Sequence, residues 1–148
     1  MRLKHFILAA TFSLTGAIAN AGEMISFSSD YSFDDVTFGL ESAILDRGLK
    51  IDHISHVGEM LNRTAADVGT EVEVYSTADV YSFCSATISR QVMELDPMNI
   101  VYCPYTIFVA HINETDEVVV GFNDYPDGDM DIVEDLLNGI VREALDLD

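Results

Sequence analysis

Apolar residues recur along this chain in two rhythms, every second position or every third to fourth, and the rhythms alternate. Ile25–Asp30 alternates as a short strand. Phe33, Val36, Leu40, Ala43 and Ile44 then fall at helical spacing. Ser32 stands ready to accept a helix-start N–H, with Asp35 in the capping-box position, and Gly48 supplies a left-handed stop after Arg47. Ile51–Val57 reads as extended. Glu59–Val68 reads as a short helix with Leu61, Ala65 and Val68 inward, closed by Gly69. Val72–Phe83, rich in β-branched and aromatic residues, predicts a long strand. Ser85–Leu95 predicts a helix facing inward through Ile88, Val92 and Leu95, and Pro97 forces its exit. Tyr102–Ile112 and Val118–Asn123 form a hairpin across Asn113–Asp116. A last helix runs from about Asp129 to Leu147 on the stripe Val133, Leu136, Leu137, Ile140 and Ala144. Asp129 and Asp131 sit near its positive end.

The order is β-α-β-(α)-β-α-β-β-α. Helices gathered on one face of a mainly antiparallel sheet bury both apolar surfaces, which makes the expected fold class α+β, a single two-layer domain. A doubly wound sheet needs more strand-helix-strand crossovers and a glycine-rich phosphate turn, and the sequence has neither.

The first residues do not fit that domain. Arg2 and Lys4 precede the apolar run Phe6–Ile18, and Ala19-Asn20-Ala21 follows as a small-x-small exit. This is the pattern of a secretory signal peptide over residues 1–21, cleaved after Ala21, with residues 22–148 as the domain. The run is shorter than the about 20 residues needed to span a bilayer. No later segment is long and apolar enough to do so, so no membrane span is expected after cleavage. The expected location is the periplasm or the secreted fraction. No Cys follows the small residues, which argues against a lipid anchor.

Charge narrows the partners. The chain has 148 residues, 7 Lys+Arg against 26 Asp+Glu, and a formal charge of −19. After leader removal only Arg47, Lys50, Arg63, Arg90 and Arg142 oppose those acids. A nucleic-acid partner is excluded for want of a basic footprint. Anionic membranes are disfavoured on the same ground. A cationic protein partner or metal ions fit the charge better, as does a saline habitat that screens self-repulsion. At 49% hydrophobic residues the chain is not an acidic disordered segment.

Cys84 and Cys103 are the only cysteines. One ends a strand before a helix start and the other opens the next strand. The helix descends ~16 Å over its length at 1.5 Å per residue. The return from Met98 climbs about as far at ~3.3 Å per residue. Both sulfurs therefore reach the same end of the layer. Three readings follow. In an exported protein an even pair makes a structural disulfide. A thiol beside a helix N-terminus has a lowered pKa, which suits redox or sulfur-handling chemistry, with Cys103 resolving. The pair also offers a soft-metal or haem site, copper being the natural metal. No Cys-x-x-Cys supports a thioredoxin-type centre.

The segments Phe83-Cys84-Ser85-Ala86-Thr87-Ile88, Leu95-Asp96-Pro97 and Tyr102-Cys103-Pro104-Tyr105-Thr106-Ile107 resemble the domain of unknown function 302 family. The family shows a Cys before a helix, an Asp-Pro ending it, and a Pro/Cys pair opening the following strand. The likeness spans roughly residues 24–147. Many members have Asn-Pro after the first Cys, where this chain has Ser85-Ala86. Many place the second Cys after the Pro, where this chain has Tyr105 and carries Cys103 two residues earlier. An offset of two keeps one strand face. The resemblance implies a compact α+β domain, often self-associating as a homo-oligomer, with no settled activity.

Other residues carry less. His53 and His56 fall on opposite faces of a continuous strand, and His111 lies far from Cys103 along its own, so all three read as surface or edge histidines. Met60, Met93 and Met98 read as core filling rather than a copper site. Asn123–Glu134 mimics part of a calcium loop, with Asp127, Asp129, Asp131 and Glu134 as weak candidate ligands, but Tyr125 occupies a ligand position. The plainer reading is a turn leading into a capped helix. Tyr75, Tyr81, Tyr102 and Tyr105 bracket the cysteines and either line a pocket or fill the sheet. No hydrolase motif stands out. The expected function is a non-enzymatic binding or assembly domain with a Cys84–Cys103 disulfide. The alternatives are thiol chemistry at the same pair, or copper or haem binding there.

Overall fold

A computed structural model describes residues 23–147. The signal-peptide expectation for residues 1–21 lies outside them. Five strands, β1 (Met24–Ser29), β2 (Lys50–His56), β3 (Tyr75–Cys84), β4 (Tyr105–Ile112) and β5 (Glu117–Asn123), form one sheet in the order β1-β5-β4-β3-β2. Every pairing is antiparallel. The fold is a single α+β domain, as its patterning implies.

Strands β2 to β5 form a meander, and α1 (Phe33–Asp46) carries the chain from one edge strand to the other. Period-two side-chain placement puts Tyr81, Phe83, Tyr105, Ile107, Val109, Val118, Val120 and Phe122 on one face, all buried. Over it lie α1, through Val36, Leu40, Ala43 and Ile44, and α4 (Asp131–Ala144), through Val133, Leu137, Ile140 and Val141. These two helices approach closely: a Cβ on Gly39 would sit 2.7 Å from the Ala144 carbonyl oxygen. Arg47 ties their ends by an ion pair to Glu143.

The start of α1 follows its sequence signal. Ser32 Oγ accepts from Asp35 N–H at 3.2 Å and donates to the Asp35 carboxylate at 2.6 Å. The end is a Schellman motif, with Leu49 N–H on the Ile44 carbonyl, Gly48 N–H on the Leu45 carbonyl, and Gly48 at φ +70°.

The two connections that leave β3 depart from expectation. Between β2 and β3, α2 (Val57–Thr64) is followed by a 3-10 turn at Ala66–Val68. Leu61 is 37% and Val68 is 74% exposed, so neither points inward. Strand β3 begins at Tyr75, because its neighbour β4 pairs no further than Ile112 with Tyr75. Val72 and Val74 alternate but have no strand beside them, and both are exposed. Between β3 and β4, α3 (Ala86–Leu95) buries Val92, but Leu95 is 60% exposed because the chain turns away at Asp96. A 3-10 helix at Pro97–Tyr102 replaces the expected strand start, and Cys103 caps it.

Candidate functional site

The β3–β4 connection brings the cysteines together. Cys84 is the last residue of β3, and the next residue, Ser85, caps α3 by accepting from Ile88 N–H. Asp96 caps the 3-10 helix by accepting from Met98 N–H at 2.9 Å, and Asn99 Nδ2 donates to the Val92 carbonyl at 2.9 Å. The segment is thereby folded back on α3 and delivers Cys103 beside its partner. The sulfurs are 2.7 Å apart as a pair of thiols in contact, both half-buried. The Cys103–Pro104 peptide is cis.

The electrostatics oppose the helix-terminus argument for an acidic thiol. Burial pushes the Cys84 thiol up to about 12, and the neighbouring Cys103 sulfur and the Asp52 carboxylate add to the rise. The contact with the helix start is indirect, since Ser85 occupies the cap and its hydroxyl accepts from Ile88 N–H. Desolvation and a second sulfur win over the dipole.

Beside the sulfurs lies a cleft of about 640 Å³ at the end of the sheet. One wall is Val101, Tyr102 and Pro104, which flank Cys103. The opposite wall is Asp124, Tyr125 and Asp127 from the loop between β5 and α4. Tyr125 packs edge-on against Tyr102, with centroids 5.6 Å apart, and against Tyr105 at 6.4 Å. The Tyr105 hydroxyl accepts from Ser89 of α3 at 3.1 Å. Burial raises the Tyr125 phenol to about 12, so the ring is neutral at any physiological pH.

Of the bracketing tyrosines, then, Tyr102 lines the cleft and Tyr105 supports it from the core. Tyr75 sits at the far end of β3, and Tyr81 is buried against α1 with its hydroxyl on Glu41. Tyr125 was visible in the sequence only as a misfit in the calcium-like loop. That loop has another use here. Asp131 Oδ1 accepts from Gly128 N–H at 2.8 Å, and Glu134 accepts from Tyr125 N–H at 3.4 Å. Burial and the adjacent Asp124 hold the Glu134 carboxyl above its ordinary range. Asp127 and Asp129 are exposed, so the four expected calcium ligands are not gathered. Among the described residues no group of three or more His, Cys, Asp or Glu is placed to hold a metal ion.

The histidines are separate as well. His56 Nδ1 meets Asp79 Oδ1 at 2.8 Å, and His111 Nε2 meets Asp116 Oδ1 at 2.9 Å. His53 pairs in register with Ser82 across a bulge. No described helix is long and apolar enough to cross a membrane.

A search of curated proteins returns no match. Among solved structures, the chain is similar to an uncharacterized conserved protein, DUF302, from Bacillus stearothermophilus. The two share 13% identity with a TM-score of 0.58, covering 83% of this chain and 95% of that one. At that identity the likeness is one of fold. The family model described as domain of unknown function DUF302 matches residues 25–146, which is nearly all of the folded chain, and the protein belongs to that family.

Proposed function

We propose that this chain is an exported, non-enzymatic binding domain in which a Cys84–Cys103 disulfide clamps one wall of a tyrosine-lined cleft. The observation that carries this reading is the 2.7 Å contact between two sulfurs whose neighbourhood raises, rather than lowers, the Cys84 pKa. A thiol used as a nucleophile needs thiolate near neutral pH. A thiol that is oxidised once, during export, can react slowly through its small thiolate fraction. The two thiols pass two electrons and two protons to a disulfide donor of the oxidising compartment by thiol–disulfide exchange. The leader-like residues 1–21 and the even cysteine count support that compartment. The clamp sits where it matters for binding, since Tyr102 and Pro104 of the cleft wall flank Cys103 in the chain.

The test is alkylation of protein recovered from the export compartment, with and without prior reduction, read by intact mass. The expected result is no label before reduction and two labels after it, with the reduced thiols labelling slowly near pH 6. Two labels without reduction, taken up promptly near pH 6, would overturn this reading in favour of thiol redox or sulfur-handling chemistry. Metal analysis of the same material, purified without chelator, checks the copper and haem alternatives; metal or haem in stoichiometric amount would replace the clamp with a ligation site.

A further inference from the structure

The cleft carries a chemistry of its own. Tyr102 and Tyr125 meet edge to face, Tyr125 being largely buried. Asp124 and Asp127 stand on the same wall as Tyr125, across from Tyr102, and no Lys or Arg is among the lining residues. Among the described residues neither carboxylate forms an ion pair. Glu134 shares a side-chain hydrogen bond with Asp124. Pro104 and Pro126 complete the surface with rigid apolar rings.

Aromatic rings beside unpaired carboxylates attract one kind of guest. The ring faces favour a positive charge, and the half-buried Asp124 and exposed Asp127 carboxylates favour it further. Rings and prolines also offer apolar contact to the carbon skeleton around that charge. An inorganic cation keeps its hydration shell, gains less from the rings, and gains nothing from the prolines. An anion is repelled, and a neutral apolar guest leaves the carboxylates uncompensated. A volume of about 640 Å³ accommodates a small organic molecule. The high negative charge of the whole chain concentrates such cations around it.

We propose that the cleft between the Cys103 segment and the β5–α4 loop binds a small, soluble organic ammonium ion, with Tyr102 and Tyr125 against its alkylated nitrogen and Asp124 and Asp127 balancing its charge. This rests on reading the cleft as a binding site and deepens it by naming the ligand class; it does not depend on the oxidation state of the sulfurs.

The experiment is an amide NMR titration of the exported chain with choline and, separately, with its neutral carbon isostere 3,3-dimethylbutan-1-ol. Choline is expected to produce saturable shifts confined to the amides of residues 101–106 and 123–128. The isostere is expected to bind at least about fivefold more weakly, the loss that a cation–π contact of ~1 kcal/mol predicts. Tyr102→Leu and, independently, Asp124→Asn with Asp127→Asn are each expected to weaken choline by a similar factor while leaving the remaining spectrum in place. The carboxylate variant keeps the test decisive if the tyrosine variant disturbs packing. Equal binding of the isostere would overturn the ammonium assignment while leaving a binding cleft. Shifts scattered over the acidic surface without saturation would overturn it as counterion condensation. Co-sedimentation with phosphatidylcholine vesicles would move the chemistry to a lipid headgroup and overturn the soluble ligand. The alkylation experiment fails or succeeds independently of all of these, so a lost clamp and a wrong ligand are told apart.

Discussion

Two connections leave β3, one from each end, and they are built to different standards. The Thr64–Val74 stretch that follows α2 leaves Val68, Val72 and Val74 exposed, and α2 itself exposes Met60 and Leu61. Its attachments are the His56–Asp79 pair, Asn62 donating to the Tyr75 carbonyl, Gly58 pressed against β3, and Asn113 donating to the Glu73 and Val74 carbonyls. The other connection, from Cys84 to Tyr105, is fastened at each turn. Ser85 caps its helix, Asp96 caps its 3-10 segment, Asn99 folds that segment back, Ser89 holds Tyr105, and the sulfurs meet at its two ends. Both connections are short and amphipathic. Both line a cleft, α2 through Glu59, Asn62 and Arg63, but only the fastened one lines the tyrosine-walled cleft, and a binding wall has to be held in place before its ligand arrives.

The largest expected effect is loss of the sulfur bridge. Replacing both cysteines by Ala should destabilise the oxidised protein by about 3 kcal/mol on the loop-entropy model for cysteines 19 positions apart, measured by urea denaturation. The same substitutions in protein kept reduced should cost far less, which separates the bond from packing. Next comes the single tight point of the looser connection. A Cβ on Gly58 would lie 2.6 Å from the Ala78 backbone nitrogen, which cannot give way. Gly58→Ala should therefore cost about 1–3 kcal/mol and should loosen α2 before the core. Ser85→Ala removes the cap between Cys84 and α3 and should cost about 1 kcal/mol, with faster exchange confined to the first turn of α3.

The smallest effect is electrostatic. The hydrogen bond and charge of Asp79 raise the His56 pKa above its ordinary value of 6.5, with a smaller push from Glu59. The folded-state pKa is raised, so the pair's contribution is fully present below the ordinary imidazole pKa and fades as pH rises through the raised one. An NMR titration should show His56 titrating high, and Asp79→Asn should bring it back toward the ordinary value. Because His56 is exposed, salt should shrink the difference.

These two regions also mark where the sequence was legible. The core helices were readable because their stripes face a sheet along their whole length, as Leu40, Ile44, Leu137 and Ile140 do. The meeting of Cys84 and Cys103 is reached by another path than the extended return that the sequence implies, because the 3-10 helix at Pro97–Tyr102, folded back by Asn99, delivers Cys103 instead. Periodicity failed where it had no surface to face. Val72 alternates like a strand but has no strand beside it, and Leu95 continues a helical stripe past the point where the chain leaves the core. The 3-10 helix before Cys103 was read as strand because Tyr102 is a strand-favouring residue, whereas Pro97 and the Asp96 cap decide its geometry. The cleft was not legible. It joins Tyr102 to Tyr125 across two loops, and no local pattern encodes that contact.

Amide hydrogen exchange across residues 85–104, compared before and after reduction, probes the clamp most directly. Oxidised protein should protect this segment well beyond residues 64–74, and reduction should bring the two segments close together while the α1–α4 core stays unchanged. Protection of residues 85–104 that is identical in both states would mean that the sulfurs hold nothing, and the clamp would have to be abandoned.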